Sequence, residues 1–275
     1  MTAQIWNWGR CAGALIVLLA VGAVFAAKPT KPGTQNPSAQ TVEMFAAIEK
    51  GDIAVKLIPK DSTQCTVRIE NKTDKPLNVK LPDAFAGVPV LAQAMGPGVG
   101  PARGSGRSNS NNNRNQGNQG MGGGMGGMMG GGMFNVPAEK CRKLVVPTVC
   151  LDHGKAEPRP SVPYEIKPVE NYTTKPGVRE LCELLGNGKV DRRVAQAAAW
   201  HLNNDMTWQQ LAAKTIHHTG GRTEPFYSPV EFRAGMQAAA VAVRTARERD
   251  ESRKTNDSNA DVSASGKTPV VPKAK

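Results

Sequence analysis

The residues whose types and spacing come nearest to chemistry lie in two short stretches. Cys150, Asp152 and His153 fall within "TVCLDHGK", and Gln196 and Trp200 fall four apart in "RRVAQAAAWHLNN". A thiol, a carboxylate and an imidazole are the parts of a nucleophilic or acid–base site. Asp152 beside His153 after a strand makes a hydrolase site only if another polar group converges on them, and no serine elbow, zinc-ligand spacing or phosphate loop accompanies them. The remaining histidines read as packing or capping groups. His201 shares a helical side with Val194, Ala197 and Ala198, while the adjacent His217 and His218 are expected at a helix C-terminus, offsetting its dipole. Met121, Met125, Met128, Met129 and Met133 recur between glycines, and their thioethers would suit Cu(I). Glycine spacers hold no coordination geometry, so no metal and no other cofactor is expected. Gln196 and Trp200 share one helix face, opposite the Val194 side. A helix apolar on both sides is expected to lie between two layers, here a sheet and the last helix.

The elements that must position these groups follow from periodicity. "TVEMFAAIEKG" predicts a short helix capped by Thr41 and stopped at Gly51. Alternation with period two then runs through Ile53, Val55 and Leu57, through Cys65, Val67 and Ile69, and through Leu77, Val79 and Leu81. "GVPVLAQ", "KLVVPTVCL" and "VPYEIKPV" add further strands, with Pro147 and Pro163 restricting the last two to edges, bends or strand starts. Between them, residues 96–133 are so rich in glycine and asparagine that a disordered loop within one domain is expected. Helical spacing takes over near Val178: "VRELCELLGNG" stops at Gly186, a second helix starts near Asp191, a third opens with Thr207 and Gln210 in capping-box spacing and stops at a glycine pair, and a fourth starts at "SPVE". The fold class is therefore α+β: a small antiparallel β-sandwich-like domain over 41–170, a helical region over 171–252 packed on it, and a disordered tail over 253–275.

The ends and the composition bound location and partners. Residues 1–27 carry one cation, Arg10, followed by an unbroken apolar run from Cys11 to Ala27, the pattern of a signal peptide or a membrane anchor, and 28–40 is a proline-rich linker. Export to the periplasm or cell envelope is expected, with residues 11–27 tethering the chain to the inner membrane if they are retained. The net charge is +12. Outside the cytosol that excess suits an anionic envelope surface or polysaccharide and gives no reason to expect nucleic acid. Cys65, Cys141, Cys150 and Cys182 remain after the leader. An extended "CRKLVVPTVC" holds its two cysteines about 30 Å apart, against the about 4.4–6.8 Å of a disulfide, so Cys141 and Cys150 are not expected to bridge. Cys182 falls on the apolar stripe of its helix with Val178, Leu181 and Leu185.

Two resemblances bear on function. The order of "CLDHGKAEPRPSVPYEIKPVE", "LLGNGKVDRRVAQAAAWHLNNDMTWQQLA" and "GGRTEPFYSPVE" resembles uncharacterised exported bacterial proteins, which implies a shared arrangement and no activity. "VAQAAAWHLNND" is similar to the glutamine motif of bacterial surface thioester domains, and "TVCLDHG" is loosely similar to their cysteine motif. That resemblance implies Cys150 as the sulfur and Gln196 as the acyl donor of an internal thioester opened by a target amine. This chain departs from the motif at Ala195 and Ala199, lacks an aromatic before Cys150, and has no cell-wall sorting signal. The sequence reading favours an exported or membrane-tethered, non-enzymatic scaffold or binding protein; a thioester adhesion domain and a hydrolase are its alternatives.

Overall fold

The computed structural model describes residues 36–90, 118–127 and 132–264, with side chains to residue 256. Residues 1–35, with the segment expected as a leader, 91–117, 128–131, with Met128 and Met129, and 265–275 lie outside the described residues. The elements run β1 (Gln40–Glu43), α1 (Met44–Lys50), β2 (Ile53–Pro59), β3 (Gln64–Asn71), β4 (Leu77–Lys80), β5 (Phe85–Pro89), β6 (Met121–Gly123), β7 (Met133–Val136), β8 (Cys141–Cys150) and β9 (Tyr164–Lys167). Then come α2 (Val178–Gly186), α3 (Arg192–Asn204), α4 (Trp208–Ala212), β10 (Thr215–His217), β11 (Thr223–Pro225) and α5 (Pro229–Ala264).

The chain is α+β, but its sheet closes on itself where a sandwich was expected. Six antiparallel strands form a barrel in the order β2-β3-β8-β6-β5-β9, sealed by the pairing of Leu57 with Tyr164. A separate three-stranded sheet, β1-β4-β7, shares its core: Leu77, Val79, Phe134 and Val136 pack with Leu57, Val67, Ile69 and Phe85. Closure leaves the barrel without a free edge, and it depends on the tract expected to be a loop. Met121–Gly123 pairs with Phe85–Gly87 on one side and with Thr148–Cys150 on the other.

Glycine at this tract is a packing requirement. A Cβ on Gly122 would meet Cys182 Sγ at 2.6 Å, and one on Gly124 would meet the Cys182 carbonyl oxygen at 2.6 Å. The bare backbone lets α2 lie directly on β6. Met121 and Met125 are fully buried in the barrel core, while Met133 sits on β7 opposite Lys80, so these three thioethers serve packing and two different sheets. Pro147 also finds a place inside β8. It is the last β8 residue paired with β3, opposite Gln64, and β6 takes over from Thr148.

The helices cover one outer side of the barrel. Val149, Leu151 and Ala86 face Val178, Leu181, Cys182 and Leu185 of α2 and the alanines of α3 and α5 in a second core. The alanine-rich run Val194–Trp200 is buried along its whole length between β8 and α5, because small side chains on both faces let two layers approach. Asp191 caps α3 through a bond from Arg193 N–H, and Asp205 ends it in a left-handed conformation. At the start of α5, Ser228 and Glu231 exchange capping-box bonds, as their spacing predicts.

Several local expectations are corrected. Glu43, not Thr41, caps α1, since Thr41 is committed to the parallel pairing of β1 with β4. The left-handed residue after α2 is Gly188, whereas Gly186 is helical and lies against Gly124. The third helix ends at Ala212, and the β10–β11 hairpin follows. His217 is therefore a strand residue bonded to Thr215 and Thr223, and His218 reaches Glu224 at 3.0 Å. The chain over 253–264, expected as tail, continues α5. No disulfide forms among the described residues; Cys65, Cys141, Cys150 and Cys182 are free thiols. No described helix is long and apolar enough to cross a membrane.

Candidate functional site

Gln196 and Cys150 meet across 46 residues of sequence. The Cys150 N–H donates to Gln196 Oε1 at 2.8 Å, and Gln196 Nε2 donates to the Cys150 carbonyl at 2.9 Å. The local reason lies in the barrel. β3 stops pairing at Pro147, Thr148 N–H turns to the Thr63 carbonyl, and Cys150 is left with backbone groups that no strand covers. Buried peptide groups must be paired, and the Gln196 amide takes the place of the missing strand. In an extended residue the N–H and C=O lie in the sheet plane and the side chain stands across it.

The rest of α3 holds the same stretch. Asn203 Nδ2 donates to the Leu151 carbonyl at 2.7 Å, and Asn204 Oδ1 accepts the His153 N–H at 3.0 Å. With Gln196, these polar residues fasten Cys150–His153 along the helix.

A cavity of about 80 Å³ opens beside the pair, lined by Ser62, Gln119, Cys150, Glu157, Arg192, Arg193, Gln196, Trp200, Phe226 and Tyr227. Ser62 is presented by a tight turn in which Asp61 accepts the Thr63 and Gln64 N–H groups. Gln119 is fixed through its backbone, which donates to the Ala156 carbonyl and accepts from Tyr164 Oη. Arg193 braces the aromatic wall: its guanidinium bonds the Phe226 carbonyl, pairs with Glu231 at 2.5 Å and sits over the Phe226 and Tyr227 rings. Trp200 completes the wall, with ring centroids 5.9 Å from Phe226 and 6.4 Å from Tyr227.

Burial pushes the Cys150 thiol up to about 12, and the carboxylates of Glu157 and Asp152 push the same way; Arg192 and a hydrogen bond from the Ser62 hydroxyl oppose them. Ser62 Oγ also donates to the exposed Glu157 carboxylate, at 3.4 Å.

Asp152 and His153 part company. Asp152 accepts Gly120 N–H at 2.8 Å, accepts the Tyr172 hydroxyl and pairs with Lys155 at 3.2 Å, which makes it a brace for the glycine strand. His153 turns outward, its Nε2 2.9 Å from Lys214 Nζ and its ring edge-on to Trp200 at 4.9 Å. Burial and the Lys214 charge hold the imidazole below its usual range. Asp152 and His153 thus serve different partners. His201 is half-buried, bonded through Nδ1 to the Met206 carbonyl and stacked on Trp208.

The sequence reading singles out Cys150, Gln196 and Trp200 but misses Ser62, Gln119, Glu157, Arg192, Arg193 and Tyr227. Ser62 and Glu157 lie in turns without a motif, and Gln119 is hidden in the glycine–asparagine tract. "EPFYSP" offered a faint signal, an aromatic pair just before a helix cap. No protein-family model, curated protein or solved structure matches this chain.

Proposed function

We propose that this chain is an exported, envelope-associated capture domain in which Cys150 and Gln196 form an internal thioester that an amine on a target surface opens to give a covalent link. The observation that carries the reading is the pairing of the Gln196 amide with Cys150 at the wall of a cavity, at the two residues that resemble the motifs of surface thioester domains. In bond formation, Cys150 Sγ attacks Gln196 Cδ, the Cδ–Nε2 bond breaks, and the thiol proton leaves with the nitrogen as ammonia. The Cys150 N–H already sits on Oε1, where negative charge develops in the tetrahedral intermediate. The apolar leader and the basic balance support export and an anionic envelope surface or polysaccharide as the setting in which the target amine is met.

Intact-mass measurement of the purified protein tests this. A deficit of about 17 Da, lost in Cys150→Ala and converted by methylamine to a gain of about 31 Da on the thioester form, is the expected result. A full mass in the native protein sinks it. A second reading has its own support: both polar atoms of the Gln196 amide are satisfied by backbone, and burial keeps the Cys150 thiol protonated. On that reading Gln196 is a surrogate strand in a non-enzymatic scaffold or binding protein, and the full mass is what it predicts.

A further inference from the structure

We propose that the outer face of β2, β3 and β8 is a docking surface for a linear acidic polysaccharide, a sugar chain with a carboxylate on successive residues, which lies across the three strands along Lys56, Arg68 and Lys143. The inference takes only the envelope setting from the reading above and needs no thioester. Strand register puts the three cations in one row: Lys56 is the direct partner of Arg68, and Arg68 of Lys143. All three are exposed. Neighbouring strands lie about 4.7–4.9 Å apart, so the three side chains start from closely and evenly spaced positions across the sheet.

Such a row works against the sheet that carries it. Like charges directly opposite one another destabilise strand pairing, whereas opposite charges in the same places stabilise it. Lys56 and Lys143 have no acidic partner among the described residues. Arg68 has one, Glu70 at 3.9 Å, and Glu70 lies nearer to Lys72, at 2.6 Å. Arg68 also donates from Nε to Cys141 Sγ at 2.9 Å, which fixes the middle of the row. A face that served solubility alone would be better built with alternating signs; a row of one sign suits a polyanion that neutralises it.

The flanking rows narrow the partner. Ala54, Glu70 and Cys141 stand on one side, and Ile58, Thr66 and Val145 on the other. The cations therefore form a line one residue wide, with a carboxylate on one border and no charge on the other. A lipid leaflet presents a plane of charge and would meet Glu70 together with the lysines; a polymer chain can follow the line and pass the carboxylate by. These three rows hold no aromatic ring, so the stacking that retains single-stranded nucleic acid is missing. The Thr66 hydroxyl and Val145, 55 % exposed, offer a hydrogen-bonding group and an aliphatic surface to the hydroxyls and C–H faces of the sugars.

The test measures binding of the purified protein to polygalacturonate, with dextran as the uncharged control and phosphatidylglycerol vesicles as the lipid arm. Polygalacturonate is expected to bind, less tightly as salt is raised, and dextran is expected not to bind. In the double variant Lys56→Gln, Lys143→Gln, affinity should fall by roughly tenfold or more and depend less steeply on salt, since two fewer charges displace counterions. The urea midpoint of that variant is expected to stay or rise, because like-charge opposition is relieved and no ion pair is lost. Loss of binding without loss of stability is a signature that a packing role would not give. Unchanged affinity for polygalacturonate in the double variant, or no binding by the native protein, overturns the proposal. So does vesicle binding that falls in the variant while polygalacturonate binding does not, which would assign the face to lipid. A native protein of full mass sinks the thioester and leaves this surface untouched, so the two readings fail separately.

Discussion

Gly124 and Gly186 lie backbone against backbone, so close that a Cβ built on Gly186 would stand 2.5 Å from Gly124 Cα. One residue belongs to a tract that composition alone marks as loop; the other is the last residue of α2. Their contact brings the end of α2 against the chain just past β6, the strand that joins β8 to β5 in the barrel.

Gly186→Ala is expected to destabilise the protein by roughly 1–3 kcal/mol, the usual cost of forcing added atoms into a packed interior, because the obstacle is backbone and cannot swing aside. Met125→Leu, which conserves volume in the barrel core, should cost less than about 1.5 kcal/mol. Urea denaturation of both variants checks the ordering. An unchanged midpoint in Gly186→Ala would mean that the glycine tract does not pack on α2.

Gln196→Ala removes both partners of the Cys150 peptide groups at once. Each buried group left unpaired costs about 1–3 kcal/mol, so a loss of a few kcal/mol is expected, with faster amide exchange at Cys150, whose N–H donates to Gln196, in hydrogen-exchange measurements. Slow exchange there in the variant would show that another group covers the end of β8.

His153 should titrate below a free imidazole in an NMR pH series, for two reasons: its burial and the charge of Lys214. The sign follows directly. An imidazole whose pKa is depressed in the fold adds stability that is fully present above its unfolded value, about 6.5, and is lost as pH falls through the folded one. Lys214→Met should move the His153 midpoint part of the way upward and weaken the loss of stability on mild acidification. A midpoint that does not move would exclude Lys214 as a cause.

Much of the secondary structure was legible in the sequence for reasons that are local. Period-two alternation at Ile53–Leu57 and Cys65–Ile69 marks strands because successive side chains face opposite sides, and Asp191, Thr207 and Ser228 cap helices through bonds that span three residues at most. The glycine tract misled because composition reports the entropy lost on ordering and is silent about a neighbouring helix that can only approach a bare backbone. Gln119 went unseen for the same reason: nothing near it in sequence distinguishes it from the asparagines and glycines around it.

By itself, then, the sequence determined the α+β class, the helix caps at Asp191, Thr207 and Ser228, and the candidacy of Cys150 and Gln196. Only the tertiary structure decided that the sheet closes into a barrel, that Asp152 and His153 serve different partners, and that the Gln196 amide meets Cys150 at the wall of a cavity. Those outcomes depend on which surfaces meet across dozens of residues, and the contacts that fix them, backbone lying on glycine and an amide standing in for a strand, have no period or spacing along the chain.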